Sequence, residues 1–308
     1  MRQAPFRPWG NKLEQDCGKY RVWPVWKGNV VIGRMSGAAL RGLLMAMLIA
    51  SPALLLPGIA ADSSQITVLI ALIAGIMTFI EYNSNFPSIL EFRDAPPFNR
   101  LRFVALLFMV VGLSSIIKNQ VDPSSFTAVF SSLGALLGNA LDFPYSPVRL
   151  AVLMLPDSAS PEAVDTLRAA AGLSYAISFA ATAGFFIVVR LLGWPTRNGA
   201  FNVWVNLPLF DPTSGGDVLY RLQRDARVNI TLGFLLPFLF PAIFKTAAAV
   251  IDPISLTNPQ TLIWTLSAWA FLPTSMIMRG IAMSKVATMI SDKRRRAYAS
   301  EDIEFQAA

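Results

Sequence analysis

The chain has 308 residues, 54% apolar and 15% charged, with a formal net charge of +7, no histidine and one cysteine, Cys17. Soluble domains carry roughly 25% charged residues, and a mean hydropathy of +0.50 leaves this chain too little charge to solvate a water-exposed surface. Without histidine or paired thiols, haem, copper, iron–sulfur and His-ligated sites are excluded, as is an intrachain disulfide. No cofactor is expected, and carboxylate-bound Mg²⁺ is the metal chemistry left open.

The apolar residues gather into charge-free windows at 42–61, 63–80, 103–117, 123–141, 169–189, 228–244 and 253–278. A helix crossing the hydrocarbon core needs about 20 apolar residues, with a range of roughly 17–25. The pattern predicts an all-α, polytopic helical membrane protein of about six transmembrane helices, eight being the alternative.

Residues 1–41 form a basic, aromatic-containing N-tail with Trp9, Trp23 and Trp26 beside basic residues, suited to headgroup level. Tyr20–Trp26 and Val30–Ile32 read as two short extended pieces around a turn at 27–29. The first apolar run starts too late for an ordinary signal peptide, so the first span is expected to be an uncleaved anchor. A single transmembrane domain, 42–278, follows. Span 1 is expected at 42–60 with kinks at Pro52 and Pro57, and Asp62–Gln65 reads as a polar turn into span 2 at 66–80. Loop 81–100 leaves the membrane, and span 3 covers 101–117.

Region 118–168 is mostly external or re-entrant on this reading. Phe126, Phe130, Leu133, Leu137 and Leu141 recur at helical spacing, which indicates an amphipathic or buried helix. Gly134 and Gly138 permit close helix approach. Ser160-Pro161-Glu162 reads as N-cap, first-turn proline and first-turn acid, opening a helix into span 4 at 169–189.

Residues 190–227 form a long polar insert, in which 217–227 sets Val218, Leu219, Leu222 and Ala226 against Arg221, Arg224 and Asp225. That segment is expected to lie on the membrane surface as a short amphipathic helix. Span 5, 228–244, is expected to be broken by Pro237 and Pro241; span 6 is 260–278; and 279–308 is a basic helix and tail. With the N-terminus inside, 22 of the 26 Lys and Arg fall on the cytoplasmic side. The positive-inside rule therefore predicts N-in, C-in and accounts for the basic balance without nucleic acid.

Charged residues inside the spans would signal chemistry, but Glu81, Arg102, Lys118, Arg190 and Lys245 all sit at expected span ends. The candidate contacts with a partner or with anionic headgroups are Asp211, Asp217, Arg221, Arg224, Arg227 and the run Lys293, Arg294, Arg295, Arg296. Guanidinium groups hold phosphate bidentately, and the Asp211, Asp217 and Asp225 carboxylates suit a cation. Ser214-Gly215-Gly216 reads as a turn and cap. Asn85-Phe86-Pro87 and Asn206-Leu207-Pro208 recur in the two internal loops as turn sequences. No catalytic set emerges. The expected role is a scaffold, assembly factor or complex subunit of a plasma or inner membrane, with a protein partner or homo-oligomer. A transporter or lipid-handling protein using the proline-broken span is the alternative, and a phosphate or lipid enzyme the third reading.

Overall fold

The computed structural model describes residues 27–58, 61–195, 201–211, 215–248, 256 and 258–307. Over its described residues each charge-free window is mostly helix, because hydrocarbon offers no partner for a free backbone amide and only intrasegment bonds satisfy it. The helices are α1 (Lys27–Leu55), α2 (Ala61–Asn83), α3 (Phe98–Val121), α4 (Ser125–Leu141), α5 (Pro147–Val152), α6 (Pro161–Leu191), α7 (Val203–Asn206), α8 (Val218–Ala248) and α9 (Pro259–Ala307). No strand occurs among the described residues. Six helices are long and apolar enough to cross a membrane: α1, α2, α3, α6, α8 and α9. This is the architecture of a polytopic helical membrane protein.

Three helix pairs, α1–α2, α4–α6 and α8–α9, carry much of the contact, and glycine lets their backbones meet. A Cβ on Gly42 would lie 2.6 Å from the Gly75 carbonyl oxygen, and one on Gly172 only 2.4 Å from the Gly138 backbone. Small residues do this in membranes because lipid gives apolar side chains no reason to turn inward. The same logic sets the packed face of α4, where Gly134 and Gly138 make the expected close approach. Its buried residues are Thr127, Gly134 and Gly138, while Phe126 and Leu133 of the apolar stripe stay exposed. Both ends of α4 tie to one end of the bundle: Thr127 Oγ1 donates to Asn119 Oδ1 at 2.9 Å, and Arg168 Nε to Asp142 Oδ2 at 2.9 Å. Between these ties the helix packs against α6 and α3.

Two hydrophobic clusters stack along the bundle. One, between the spans, centres on Leu113, Leu167, Ile263 and Trp269. The other lies at the end rich in Lys and Arg, here the basic end, and joins Phe92, Phe98, Phe185, Trp194, Leu222 and Met283.

Several local expectations change. Lys27–Ile32 belongs to α1, so the extended reading of Val30–Ile32 fails; residues 1–26 lie outside the described residues. Asp62–Gln65 is helical, within α2. The segment 217–227 is no separate surface helix: from Val218 it forms the first turns of α8, with Leu222 and Ala226 buried against α9 residues. Span 5 is unbroken through Pro237 and Pro241. Pro241 removes the helical donor to the Pro237 carbonyl, and the Trp269 indole N–H replaces it at 3.0 Å. Pro52 likewise frees the Leu48 carbonyl, which accepts from Ser51 Oγ at 2.7 Å. The expected cap of α6 is present, with Ser160 Oγ accepting from the Ala163 amide at 3.2 Å.

Candidate functional site

The chain leaving α2 is fastened at once to its own helix end. Three consecutive amides, Ser88, Ile89 and Leu90, donate to the Glu81 carboxylate at 3.0 to 3.1 Å. Arg93 Nη1 donates to the carbonyl oxygens of Glu81 at 3.0 Å and Ser84 at 2.8 Å, closing the C-terminal end of α2. Glu81 and Arg93 therefore spend their charges locally.

The loop then docks on the second polar insert. Phe92 adopts a left-handed backbone with φ of 53°, a conformation that costs a side-chain-bearing residue roughly 1–2 kcal/mol. Its surroundings hold it there. Its amide donates to the Asn206 carbonyl at 2.7 Å, and its ring lies 4.7 Å from Phe98 and 5.6 Å from Trp194. The Asp94 amide donates to Asn206 Oδ1 at 3.1 Å, and Trp194 Nε1 to the Ala95 carbonyl at 3.0 Å. Asn206 is buried while Asn85, which accepts from Arg34 Nη1 at 2.8 Å, is exposed. The two similar tripeptides thus do different work.

This turn aims Glu91 inward. Its buried carboxylate receives both Nε and Nη2 of Arg279, the latter at 2.8 Å. The Glu91 carbonyl accepts from Asn99 Nδ2 at 2.8 Å.

Beside this pair lies Arg102, one turn into α3. Its Nη1 donates to Asn99 Oδ1 at 3.3 Å, and its guanidinium carbon lies 5.3 Å from the Phe98 ring centre and 5.8 Å from that of Phe271. Its Nε is buried without a hydrogen-bond partner. Glu91 is committed to Arg279, and no carboxylate among the described residues forms an ion pair with Arg102. Helix length explains its depth. The charge-free stretch 103–117 supplies only about 22 Å of helix, short of the roughly 30 Å hydrocarbon core, so a full crossing by α3 draws its end charges, Arg102 and Lys118, toward the hydrocarbon.

Arg102 lines a cavity of about 730 Å³ between the α1–α2 pair and α3, with Phe271 of α9 behind. The walls are Leu40, Leu44 and Met45 from α1, Met77 and Thr78 from α2, Ile89 and Leu90 from the loop, and Phe103, Val104 and Leu106 from α3. Arg41, Glu81, Tyr82, Asn99, Arg100 and Arg102 supply its polar groups. These residues mark the level where three apolar windows begin or end. Leu40, Leu44, Met77 and Val104 are exposed, so the cavity opens sideways onto the lipid-facing surface. Arg41 lies over Tyr82 at 4.6 Å and donates from Nη1 to the Gly37 carbonyl at 2.7 Å.

The residues picked from sequence lie elsewhere. Asp217 caps α8, accepting from the Leu219 amide at 3.2 Å and from Arg294 Nη1 at 2.8 Å. The Arg294 hydrogen bond, reinforced by the Leu219 amide, holds its carboxyl below the usual aspartate range. Arg224 pairs with Asp225 at 3.1 Å, and the Arg221 guanidinium lies 4.9 Å from the Phe210 ring centre. Asp211 and Arg227 are exposed. The carboxylate cluster grouped for a cation is not assembled: among the described residues no three of His, Cys, Asp and Glu come together to hold a metal ion. Lys293, Arg294, Arg295 and Arg296 are exposed on α9, about 20 Å along the helix from Arg279. That exceeds the roughly 8 Å screening length of physiological salt.

The sequence reading missed Glu91, Arg279 and the cavity. The shortness of window 103–117 was the available signal for Arg102. Nothing in the spacing of Glu91 and Arg279 announces their pairing. No family model, curated protein or solved structure matches this chain.

Proposed function

We propose that this chain is a lipid-handling membrane protein that receives an amphiphile from the bilayer into the cavity between α1–α2 and α3. One observation carries the reading: a space of about 730 Å³, within the roughly 300–1,000 Å³ typical of small-molecule sites, has apolar walls that join the lipid-facing surface and a polar rim at boundary level. This keeps the lipid-handling alternative and moves it from the proline-containing α8 to the α1–α3 side. The proposed orientation is N-in, C-in in a plasma or inner membrane, supported by the 22 basic residues gathered on one side.

A photoactivatable acyl lipid incorporated with the full chain tests the reading. Crosslinks are expected to concentrate in 37–45, 77–82 and 99–106, and Val104→Trp, which puts an indole into the cavity wall and narrows its lipid-facing side, is expected to reduce them. Leu136→Trp on the exposed face of α4 is the control. Crosslinks spread evenly over α2 and α4, unmoved by Val104→Trp, would sink the reading.

The scaffold reading draws support from a different observation. The loops at 84–97 and 201–210 are locked on an aromatic core, yet Phe86 and Leu209 remain exposed on them. A rigid surface with exposed apolar side chains suits a protein partner. Crosslinking from position 86 to one defined partner or to a second copy would favour it.

A further inference from the structure

Two features of the cavity go beyond a fit to acyl chains. Arg102 is a guanidinium at the edge of a short charge-free stretch, with Asn99 as its hydrogen-bond partner and its Nε buried and unpartnered. Buried charges are ordinarily paired, because an isolated ion in a low-dielectric setting loses its hydration without recompense. The two aromatic faces, Phe98 and Phe271, contribute cation–π attraction but accept no hydrogen bond from the fork. The second feature is the charge of the rim. Arg41, Arg100 and Arg102 face the cavity together with one carboxylate, Glu81, and that carboxylate is occupied by the amides of Ser88, Ile89 and Leu90. The rim is therefore short of anions.

We infer that the cavity selects a lipid with a net anionic phosphate headgroup, the phosphate meeting Arg102 while the acyl chain lies along Leu44, Met77 and Val104. The inference rests on the lipid-handling reading and adds the class of lipid. An arginine fork matches two phosphate oxygens at once. A zwitterionic headgroup brings a cation of its own into a rim of three guanidinium groups, and their repulsion disfavours it. A net anionic headgroup brings none. The occupant is a bilayer lipid rather than free phosphate because most of the wall is apolar and opens onto the lipid-facing surface.

The test uses the full chain in bilayer discs of equal phosphatidylglycerol and phosphatidylcholine, with the lipid retained on release measured by native mass spectrometry. Wild type is expected to retain phosphatidylglycerol over phosphatidylcholine by about fivefold or more, the factor that one basic residue near an anionic leaflet supplies. Arg102→Gln is expected to retain lipid but lose that preference. Arg190→Gln, at the exposed end of α6 and outside the cavity lining, is expected to keep it. Millimolar inorganic phosphate is expected to leave the retained lipid unchanged.

Lipid retained by wild type without headgroup preference would overturn the inference and leave the lipid-handling reading standing. So would a preference that survives in a folded Arg102→Gln protein. Should that variant not fold, the wild-type ratio still decides. Displacement of the lipid by phosphate alone would assign the site to a soluble anion and overturn the choice of a lipid. No retained lipid, together with crosslinking insensitive to Val104→Trp, would remove both proposals.

Discussion

The indole N–H of Trp269 on α9 donates to the carbonyl oxygen of Pro237 on α8 at 3.0 Å, in the helical position that Pro241 leaves without a donor. Two prolines in one span thus produce no open, ion-binding backbone at that carbonyl. The residue that closes the gap is 32 positions away in sequence. Trp269→Phe keeps the ring and removes the donor, so it is expected to destabilise the folded protein by about 1 kcal/mol, within the range for interhelical bonds in membranes. Pro241→Ala restores a helical donor to the same carbonyl. In that background Trp269→Phe is expected to have much less effect, and a double-mutant cycle of thermal stability in detergent measures the coupling. Equal effects in both backgrounds would contradict the pairing.

Glu91 and Arg279 form a buried, two-pronged pair, with side-chain exposures of 8% and 27%. Removing one partner of a buried pair costs about 3–5 kcal/mol; the partial exposure of Arg279 places Glu91→Gln at or below the lower end. The double replacement Glu91→Leu with Arg279→Met removes both charges and is expected to be less damaging than Glu91→Gln alone. Thermal unfolding of the two variants and the wild type in one detergent checks the order.

Gly172 is the tightest point between α4 and α6. A methyl group there has nowhere to go, since backbone atoms of Gly138 lie 2.4 Å from the Cβ position. Gly172→Ala is expected to separate the two helices and destabilise by about 1–3 kcal/mol or more, the usual scale of overpacking. Gly184→Ala on the same helix meets nothing within 4 Å and serves as the matched control, because both changes raise helix propensity alike. A similar melting temperature for the two variants would show that α4 and α6 do not meet there.

Asp217 ties the start of α8 to Arg294 of α9, and that hydrogen bond lowers its carboxyl pKa. A group whose pKa is lower folded than unfolded stabilises the fold above its unfolded value and loses that contribution as pH falls through the lowered one. The protection of amides in the first turns of α8, taken relative to the intrinsic exchange rate at each pH, is therefore expected to fall on acidification below the ordinary aspartate range. Asp217→Asn is expected to show faster exchange already at neutral pH and a weaker acid response. An unchanged acid profile in that variant would assign the effect to another carboxylate.

Orientation is open to direct labelling, because Cys17 is the sole cysteine. In a Cys17→Ser background, exposed Phe86→Cys is expected to react with an impermeant reagent only from the cytoplasmic side, and exposed Tyr145→Cys only from the other. The reverse pattern would overturn the charge-based orientation. Reaction of both from one side would overturn the six-span arrangement.

The membrane class, the helical content and the six spans follow from sequence because they depend on one-dimensional quantities. Run length is compared with bilayer thickness, and charge marks where each run must stop. The cap at Ser160-Pro161-Glu162 is equally local, since three adjacent residues satisfy the first amides of their own helix. Other features depended on partners distant in the chain. Asp217–Arg227 reads as a surface helix because its apolar stripe is visible, whereas the burial of Leu222 and Ala226 against α9 residues is not. The proline-containing span looks broken until Trp269 arrives, and the stripe of α4 does not by itself say which of its residues face lipid. Arg102 was visible as the last charge before a short span, but not its stacking on Phe98 and Phe271 or its unpaired Nε. Those follow from Arg279 having already taken Glu91, a choice between residues 188 positions apart that only tertiary structure makes.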